Sequence, residues 1–183
     1  MSATYERGLV WLRRDLRAHD QQALHQALIH CRQVLCLFVL DREILDGLPR
    51  ADRRVEFIIG TLAELDERLR ALSAPHGRQA GLLVEHGWAR QAVPQLAAQW
   101  QVQAVFVNHD DEPQALARDA EVARALAQQG TAWHSFKDHV IFERQQVLTQ
   151  GGRPYGVFTP YKNAWLKALT QRHLEPWAIE PHA

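Results

Sequence analysis

The sequence predicts an α/β fold: a Rossmann-like, doubly wound sheet of five parallel strands in the order 3-2-1-4-5, with helices on both faces. Three observations indicate this fold class. They are five short apolar runs, amphipathic helical patterns between them, and a globular composition with 46% apolar and 23% charged residues. The 183 residues are enough for one domain with a substantial core.

The strands are predicted from apolar runs that are rich in Val, Leu, Phe and Trp and show almost no polar alternation. Parallel strands are buried on both faces, and such strands read as continuous apolar runs. The five runs are Gly8–Leu12, Val34–Leu40, Gly81–Val84, Ala104–Val107 and Thr131–Phe136.

The first two helices are predicted from apolar residues at helical spacing. Asp20 is the expected N-cap of the first helix, whose apolar face consists of Leu24, Ala27, Leu28 and Cys31. The apolar face of the second helix consists of Val55, Ile59, Leu62, Leu65, Leu69 and Leu72. On its outer face, the spacing of Glu64/Arg68 and Asp66/Arg70 predicts two i,i+4 ion pairs.

Two further helices are expected between the later strands. Pro113 opens one of them, because its missing N–H has no intrahelical partner in a first turn. The apolar face of this helix is predicted to consist of Leu116, Ala120, Ala123 and Ala127. The other helical segment spans Trp88–Trp100, where Pro94 is expected to kink the helix or mark its start.

Charge, cysteine and histidine content exclude several classes of protein. Because 21 basic residues balance 21 acidic ones, weak or no binding to nucleic acid is expected. Cys31 and Cys36 are predicted to lie in different elements, so no disulfide is expected. The ten histidines have no metal-ligand spacing, and no metal site is predicted. With no apolar run near the roughly 20 residues of a membrane span, the expected location is the cytoplasm.

The carboxyl ends of strands 1 and 4 are the expected functional edge of the sheet, because ligands of doubly wound sheets bind where the strand order reverses. The segments at this point are Arg13–Arg17 and Asn108–Glu112. Neither a G-x-G-x-x-G turn nor a P-loop is present. Two interpretations remain open for these charged residues: an ion-pair network between loops, or contacts to an anionic or polar ligand.

Three motifs in register resemble the DNA photolyase/cryptochrome family. Val10–Leu24 reads V-W-L-R-R-D-L-R-A-H-D-Q-Q-A-L, close to the family's opening V-W-F-R-x-D-L-R-x-x-D-N-x-A-L. Val157–Leu166 reads V-F-T-P-Y-K-N-A-W-L and resembles a second family segment. Between them, the family's N-x-x-x-E…A-R-D-x-E-V stretch is matched by Asn108, Glu112, Arg118, Asp119, Glu121 and Val122.

The resemblance implies the N-terminal α/β domain of a class I deoxyribodipyrimidine photo-lyase, a carbon–carbon lyase. In this family a larger helical domain follows, which holds FAD and contacts damaged DNA. Residues 1–136 are therefore expected to form the α/β domain, and residues 137–183 the connecting segment. The catalytic residues have no counterparts here, so the fragment alone is expected to be inactive.

The family's first domain often binds an antenna chromophore, and the resemblance implies a site for one in the switch-point cleft. The expected contacts are Arg13, Asp15, Leu16, Arg17, Val39, Leu40, Asp41, Asn108, Asp110 and Glu112. An Asn-Glu pair contacts folate antennas in the family, and Gln114 and Ala115 stand at those positions here. A deazaflavin or FMN is therefore expected in preference to folate.

Phe158, Tyr161 and Trp165 are expected to dock the helical domain, and without it to promote self-association. Three alternative functions stay open at this point. The chain could belong to a cryptochrome photoreceptor, act as a stand-alone nucleotide-binding module, or serve as a non-enzymatic interaction domain.

Overall fold

A computed structural model describes residues 3–183 and confirms the predicted sheet. Five strands lie in the order β3-β2-β1-β4-β5, and all neighbouring strands are parallel. They are β1 (Tyr5–Leu12), β2 (Cys31–Asp41), β3 (Leu82–Gly87), β4 (Ala104–Asn108) and β5 (Ala132–Phe136). The first two residues of the predicted domain 1–136 lie outside the described residues.

Six α-helices accompany the sheet in the described part of the chain. They are α1 (Gln22–His30), α2 (Arg42–Leu45), α3 (Arg53–Ser73), α4 (Ala89–Gln99), α5 (Pro113–Gln128) and α6 (Phe158–Ala168). Three 3-10 turns span Ala74–His76, Gln171–Leu174 and Glu180–His182. As predicted, Pro113 occupies the first turn of α5. Pro94 lies inside α4, which begins at Ala89, so it does not mark the start of that helix.

The sheet separates two hydrophobic cores, because successive strand residues point to opposite faces. Val10 and Phe106 point to the face that α1 and α3 cover. Leu9 and Val105 point to the face that α4 and α5 cover. Each central strand is thus buried on both sides, which explains its continuous apolar sequence.

Residues after β5 fold back onto the first core. Ile179 is buried among the side chains of the α1 and α3 face. The backbone N–H of Trp177 donates to Asp20 Oδ1 at 2.8 Å, and His25 Nδ1 lies 2.6 Å from the carbonyl oxygen of Ala178. The sheet ends at Phe136, whereas a domain boundary at that residue stays a prediction.

Two predictions around α1 were wrong. The N-cap is Gln21, whose side chain accepts a hydrogen bond from the N–H of Leu24, while Asp20 adopts a positive φ of 45°. Cys31 begins β2 and pairs with Tyr5, so it does not belong to the helix. Because the chain passes directly from helix to strand at His30, the apolar helical period runs on into the first strand residue.

The predicted apolar face of α5 was also wrong. The buried residues are Ala115, Arg118, Val122 and Leu126, whereas Leu116 is 45% exposed. The helix is rotated by about one residue relative to the prediction because Arg118 points inward. An apolar pattern could not identify this face, since its central member carries a charge.

The predicted face of α3 was correct only in its second half. Leu62, Leu65 and Leu69 are buried, but Ile59 is 49% exposed. The buried half is tied to the edge strand β3, since Asp66 Oδ1 accepts from the N–H of Leu82 at 2.7 Å. The two predicted ion pairs on the outer face, Glu64 with Arg68 and Asp66 with Arg70, are confirmed.

Candidate functional site

Asp15 is the centre of a buried hydrogen-bond network at the carboxyl ends of β1 and β4. Its carboxylate accepts from the backbone N–H of Arg13 at 2.9 Å and from the side-chain amides of Gln21 and Asn108 at 2.7 Å each. Asn108 Oδ1 in turn accepts from the N–H of Ala23 at 3.0 Å. The network therefore holds the loop after β1, the end of β4 and the start of α1 in one arrangement.

Arg13 connects the same end of the sheet to α5. One of its guanidinium nitrogens contacts both carboxylate oxygens of Asp119, at 2.6 and 2.5 Å, and another donates to the carbonyl oxygen of Asn108. The guanidinium also lies 5.0 Å from the centre of the Trp11 ring. The structure thus brings Arg13, Asp15 and Asn108 together as predicted, and it engages them with their neighbours.

The other predicted charged residues form ion pairs that join loops. Arg14 contacts Glu112 at 2.8 Å and Asp110 at 3.4 Å, and the hydrogen bond that it donates to Glu112 is the main cause that raises its pKa. Arg17 contacts the buried carboxylate of Asp138 at 2.7 Å. Of the two interpretations left open above, these contacts support the ion-pair network.

Little empty space remains in the predicted cleft. The crevice lined by Arg13, Asp15, Asn108 and Asp110 has a cavity volume of about 0 Å³. Ligand pockets for molecules of drug size generally hold about 300–1,000 Å³. A flavin ring therefore enters this crevice only if the loops after β1 and β4 separate.

Asp41, at the end of β2, differs from the other predicted residues because one of its buried oxygens has no hydrogen-bond partner in the described part of the chain. Its Oδ1 accepts from the N–H groups of Glu43 and Ala89, at 3.1 and 3.2 Å. Its Oδ2 is buried without a hydrogen bond, and the nearest cation, Arg118 Nη1, is 3.9 Å away. A buried carboxylate oxygen without a hydrogen bond is costly, and a ligand that donated to it would remove that cost.

The apolar residues of the predicted site are buried or half-buried. Val39 belongs to the core on the α4 and α5 face, and Leu16 packs against the opposite core. Leu40 is half-buried. Of the two residues that were predicted to disfavour a folate, Gln114 is exposed and Ala115 is buried.

Sequence reasoning did not identify Arg118 as part of the site. This buried guanidinium lies 5.0 Å from the centre of the Trp11 ring and contacts Asp119 at 3.1 Å. It thus stands between Trp11 and the free oxygen of Asp41. The signal was its place in the A-R-D motif, where an arginine precedes an acidic residue on a helix.

A second, larger groove was not predicted. It has a volume of about 350 Å³ and lies between the loop after β1, the segment after β5 and the 3-10 turn Gln171–Leu174. Arg17 and Asp138 form part of its polar lining, and Trp177 and Leu174 part of its apolar lining. Because the groove requires the last residues to fold back against Asp20, no local pattern could identify it.

The three predicted docking residues differ in exposure. Phe158, at the start of α6, is 73% exposed, and Tyr161 also faces solvent. Trp165 is half-buried because its ring packs edge-on against Phe142, with ring centres 5.5 Å apart. Phe158 and Tyr161 therefore form an exposed apolar surface, while Trp165 anchors α6 to the segment after β5.

Within residues 3–183, no group of three or more His, Cys, Asp or Glu residues is arranged to hold a metal ion. None of the helices in the described part of the chain combines the length and the apolar character that a bilayer crossing requires.

Comparisons with known proteins agree with the fold and the motifs. The family model for DNA photolyase matches residues 8–181. The deoxyribodipyrimidine photo-lyase of a Synechococcus strain is 37% identical over 159 residues, which are 86% of this chain and 31% of that protein. The Escherichia coli enzyme of the same name is 35% identical over 89% of this chain and 34% of its own length. The chain thus spans about a third of these relatives.

A solved structure shows the same architecture. The archaeal photolyase from Sulfolobus tokodaii superposes on 90% of this chain with a TM-score of 0.74 and 26% identity, and this chain covers 36% of that protein. Its crystal structure contains two FAD molecules and is described as implying a novel light-harvesting cofactor. Because the family match extends over almost the whole chain, we conclude that this protein belongs to the DNA photolyase family.

Proposed function

We propose that this chain is the N-terminal α/β domain of a photolyase that splits cyclobutane pyrimidine dimers in damaged DNA. The observation that supports this function is the family match over residues 8–181, which includes the whole sheet and α6. FAD, when bound to the complete enzyme, supplies the electron that cleaves the dimer. We assign the FAD and DNA contacts to the helical domain that accompanies this domain in the family.

We further propose that the domain binds an antenna chromophore at the carboxyl edge of β1, β2 and β4. Asp41 supports this proposal, because its free, buried oxygen can accept a hydrogen bond from a ring N–H. FMN and deazaflavins carry such an N–H on a planar ring. The guanidinium of Arg118 lies 3.9 Å from the same oxygen and 5.0 Å from the centre of the Trp11 ring. Both groups are buried, and both can stack against a planar group once the site opens.

The proposed contacts divide into two roles. Arg13, Asp15 and Asn108 are engaged with one another and hold the loops in place, so they position the site. Asp41 contacts the chromophore directly, and Arg14 and Leu40 retain accessible surface for it. The small crevice must widen on binding, which we attribute to separation of the loops after β1 and β4.

The larger groove beside Trp177 is the alternative location for the chromophore. Its volume of about 350 Å³ lies within the range of small-molecule pockets, and Trp177 offers an aromatic surface for stacking. The two locations use different residues, so single substitutions distinguish them.

Titration of the purified chain with FMN, a deazaflavin and a reduced folate, followed by ligand fluorescence, tests the proposal. We expect FMN or the deazaflavin to bind more tightly than folate. Asp41→Asn keeps the acceptor for Glu43 and Ala89 but removes the free carboxylate oxygen, so it should weaken binding about tenfold. The exposed Asp46→Asn is the matched control and should leave affinity unchanged.

Tightest binding by folate would contradict the argument from Ala115. Loss of binding in Trp177→Ala but not in Asp41→Asn would move the site to the larger groove. A cryptochrome differs from a photolyase in lacking dimer repair, so a repair assay on the complete protein separates that alternative.

A further inference from the structure

Ser135, His109 and Glu143 are aligned at the open edge of the sheet, away from the Asp41 region. Ser135 Oγ lies 3.3 Å from His109 Nε2. On the other side of the same ring, His109 Nδ1 lies 2.9 Å from Glu143 Oε2 and 3.1 Å from Oε1. A hydroxyl, an imidazole and a carboxylate in this order form the arrangement that activates a serine nucleophile.

The geometry selects one tautomer of a neutral His109. An ionised carboxylate only accepts hydrogen bonds, so this tautomer carries its proton on Nδ1 and donates it to Glu143. His109 Nε2 then has a free lone pair, which accepts the hydroxyl proton of Ser135. This is the tautomer that a general base requires.

Burial increases from the hydroxyl to the carboxylate. Ser135 is exposed on β5, the side chain of His109 is 23% exposed, and that of Glu143 is 9% exposed. Glu143 is held by its own N–H, which donates to Gln146 Oε1 at 2.7 Å, and the N–H of His109 donates to the carbonyl oxygen of Phe136 at 2.7 Å. The base is therefore positioned from both sides, while the nucleophile remains accessible.

The backbone of the edge strand supplies a hydrogen-bond donor beside Ser135. The N–H of Ala132 donates to Gln103, and the carbonyl oxygen of Phe136 accepts from His109, so the even-numbered residues of β5 face β4. Successive residues of a strand direct their backbone groups to opposite sides, so the N–H of Ser135 points to the open edge. It can donate to an oxyanion that forms at this hydroxyl.

We propose that Ser135, His109 and Glu143 form a nucleophilic triad that accepts an acyl group from an activated ester. Ser135 Oγ attacks the carbonyl carbon, and its proton passes to His109 Nε2. The tetrahedral intermediate then expels the alcohol, which leaves with that proton. Water, deprotonated by His109, hydrolyses the acyl-serine, releases the acid and restores the hydroxyl.

The test uses 4-nitrophenyl acetate as substrate and a fluorophosphonate as a covalent probe of the purified chain. We expect 4-nitrophenol release and a probe adduct that mass spectrometry maps to Ser135, one of three serines in the sequence. Ser135→Ala should abolish the adduct, and His109→Gln should slow both reactions about 100-fold. Glu143→Gln should slow them by a smaller factor, since it leaves the base in place.

His86→Gln, at the exposed opposite edge of the sheet, is the matched control and should react like the unmodified chain. Ser135 is exposed, so its alanine variant should retain the melting temperature, which separates loss of the nucleophile from loss of fold. A probe adduct on another residue, or a rate that His109→Gln does not change, would overturn the proposal.

Discussion

At the residue scale, Asp15 should be important for stability. The substitution Asp15→Ala leaves three donors, on Arg13, Gln21 and Asn108, without their buried acceptor. We expect the free energy of unfolding to fall by about 3 kcal/mol, because buried unsatisfied donors and broken buried charge contacts are costly. Urea denaturation measures this change.

The control for Asp15 is Asp111→Ala, since Asp111 pairs with Arg144 on the surface. This exposed pair should contribute no more than about 0.5 kcal/mol. Equal effects of the two substitutions would show that the Asp15 network is not a major source of stability.

His134 should make the stability of the fold depend on pH. Burial, with a smaller contribution from His30, lowers the pKa of His134 below its usual 6.5. In the unfolded chain His134 binds a proton near pH 6.5, whereas in the folded chain it binds one only at lower pH. The free energy of unfolding therefore falls as the pH decreases below 6.5. Urea midpoints at pH 7.5 and 5.5 measure the effect.

His134→Gln keeps a polar partner for the Tyr5 hydroxyl, which lies 3.0 Å from His134 Nε2. This variant should lose less stability than the unmodified chain between the two pH values. An identical loss in both proteins would assign the pH dependence to other groups.

The switch-point residues could be predicted from the sequence, but their contacts could not. Arg13, Asp15 and Asn108 meet where the reversal of strand order requires. Local sequence could not predict that Asp119, on a distant helix, pairs with Arg13. Nor could it predict that, among residues 3–183, only Asp41 retains a buried side-chain oxygen without a hydrogen bond. These outcomes depend on side-chain geometry between elements.

At the element scale, Gly8 should be essential for the close pairing of β1 and β2. A Cβ at this position would overlap Cys31 Sγ and lie 3.1 Å from the Phe106 ring. Gly8→Ala should therefore cost about 1–3 kcal/mol of stability. Combining it with Cys31→Ala removes the overlap, so the double variant should lose less than the sum of the single losses, as a double-mutant cycle would measure.

Additive losses in that cycle would contradict the packing at Gly8.

The reactivity of the two buried thiols tests the packing of β2, because burial raises the pKa of Cys31 to about 11 and that of Cys36 to about 12. Both should react slowly with a thiol reagent in the folded chain and rapidly in urea.

The exposed surface of α6 should promote association of the isolated chain. Phe158 and Leu166 are both more than half exposed, and exposed apolar patches favour contacts between molecules. We expect light scattering at high protein concentration to show dimers that the double variant Phe158→Ser, Leu166→Ser reduces. Lys162→Ser on the same helix is the control, and an unmodified chain that stays monomeric would contradict this prediction.

Helix positions were less predictable than strand positions for a physical reason. Strands buried on both faces are apolar at every position, so a shift of one residue does not alter the pattern. A helix buries one face, and the face of α5 includes Arg118, whose charge is satisfied by Asp119. Apolar periodicity alone therefore selected the wrong neighbouring residues.

At the scale of the whole molecule, we propose that this domain supports light-driven repair without performing it. The family match covers residues 8–181, but the relatives are about three times as long as the matched segment. We therefore expect FAD chemistry and dimer recognition to require the helical domain.

The most direct test is a light-dependent repair assay on DNA that contains a cyclobutane dimer. The assay compares this chain alone with a chimera in which it replaces the matching segment of the Synechococcus relative, whose sequence is 37% identical. We predict repair by the FAD-loaded chimera, within about tenfold of the parent rate, and none by the chain alone. Repair by the chain alone, or a folded, FAD-loaded chimera without repair, would contradict the claim.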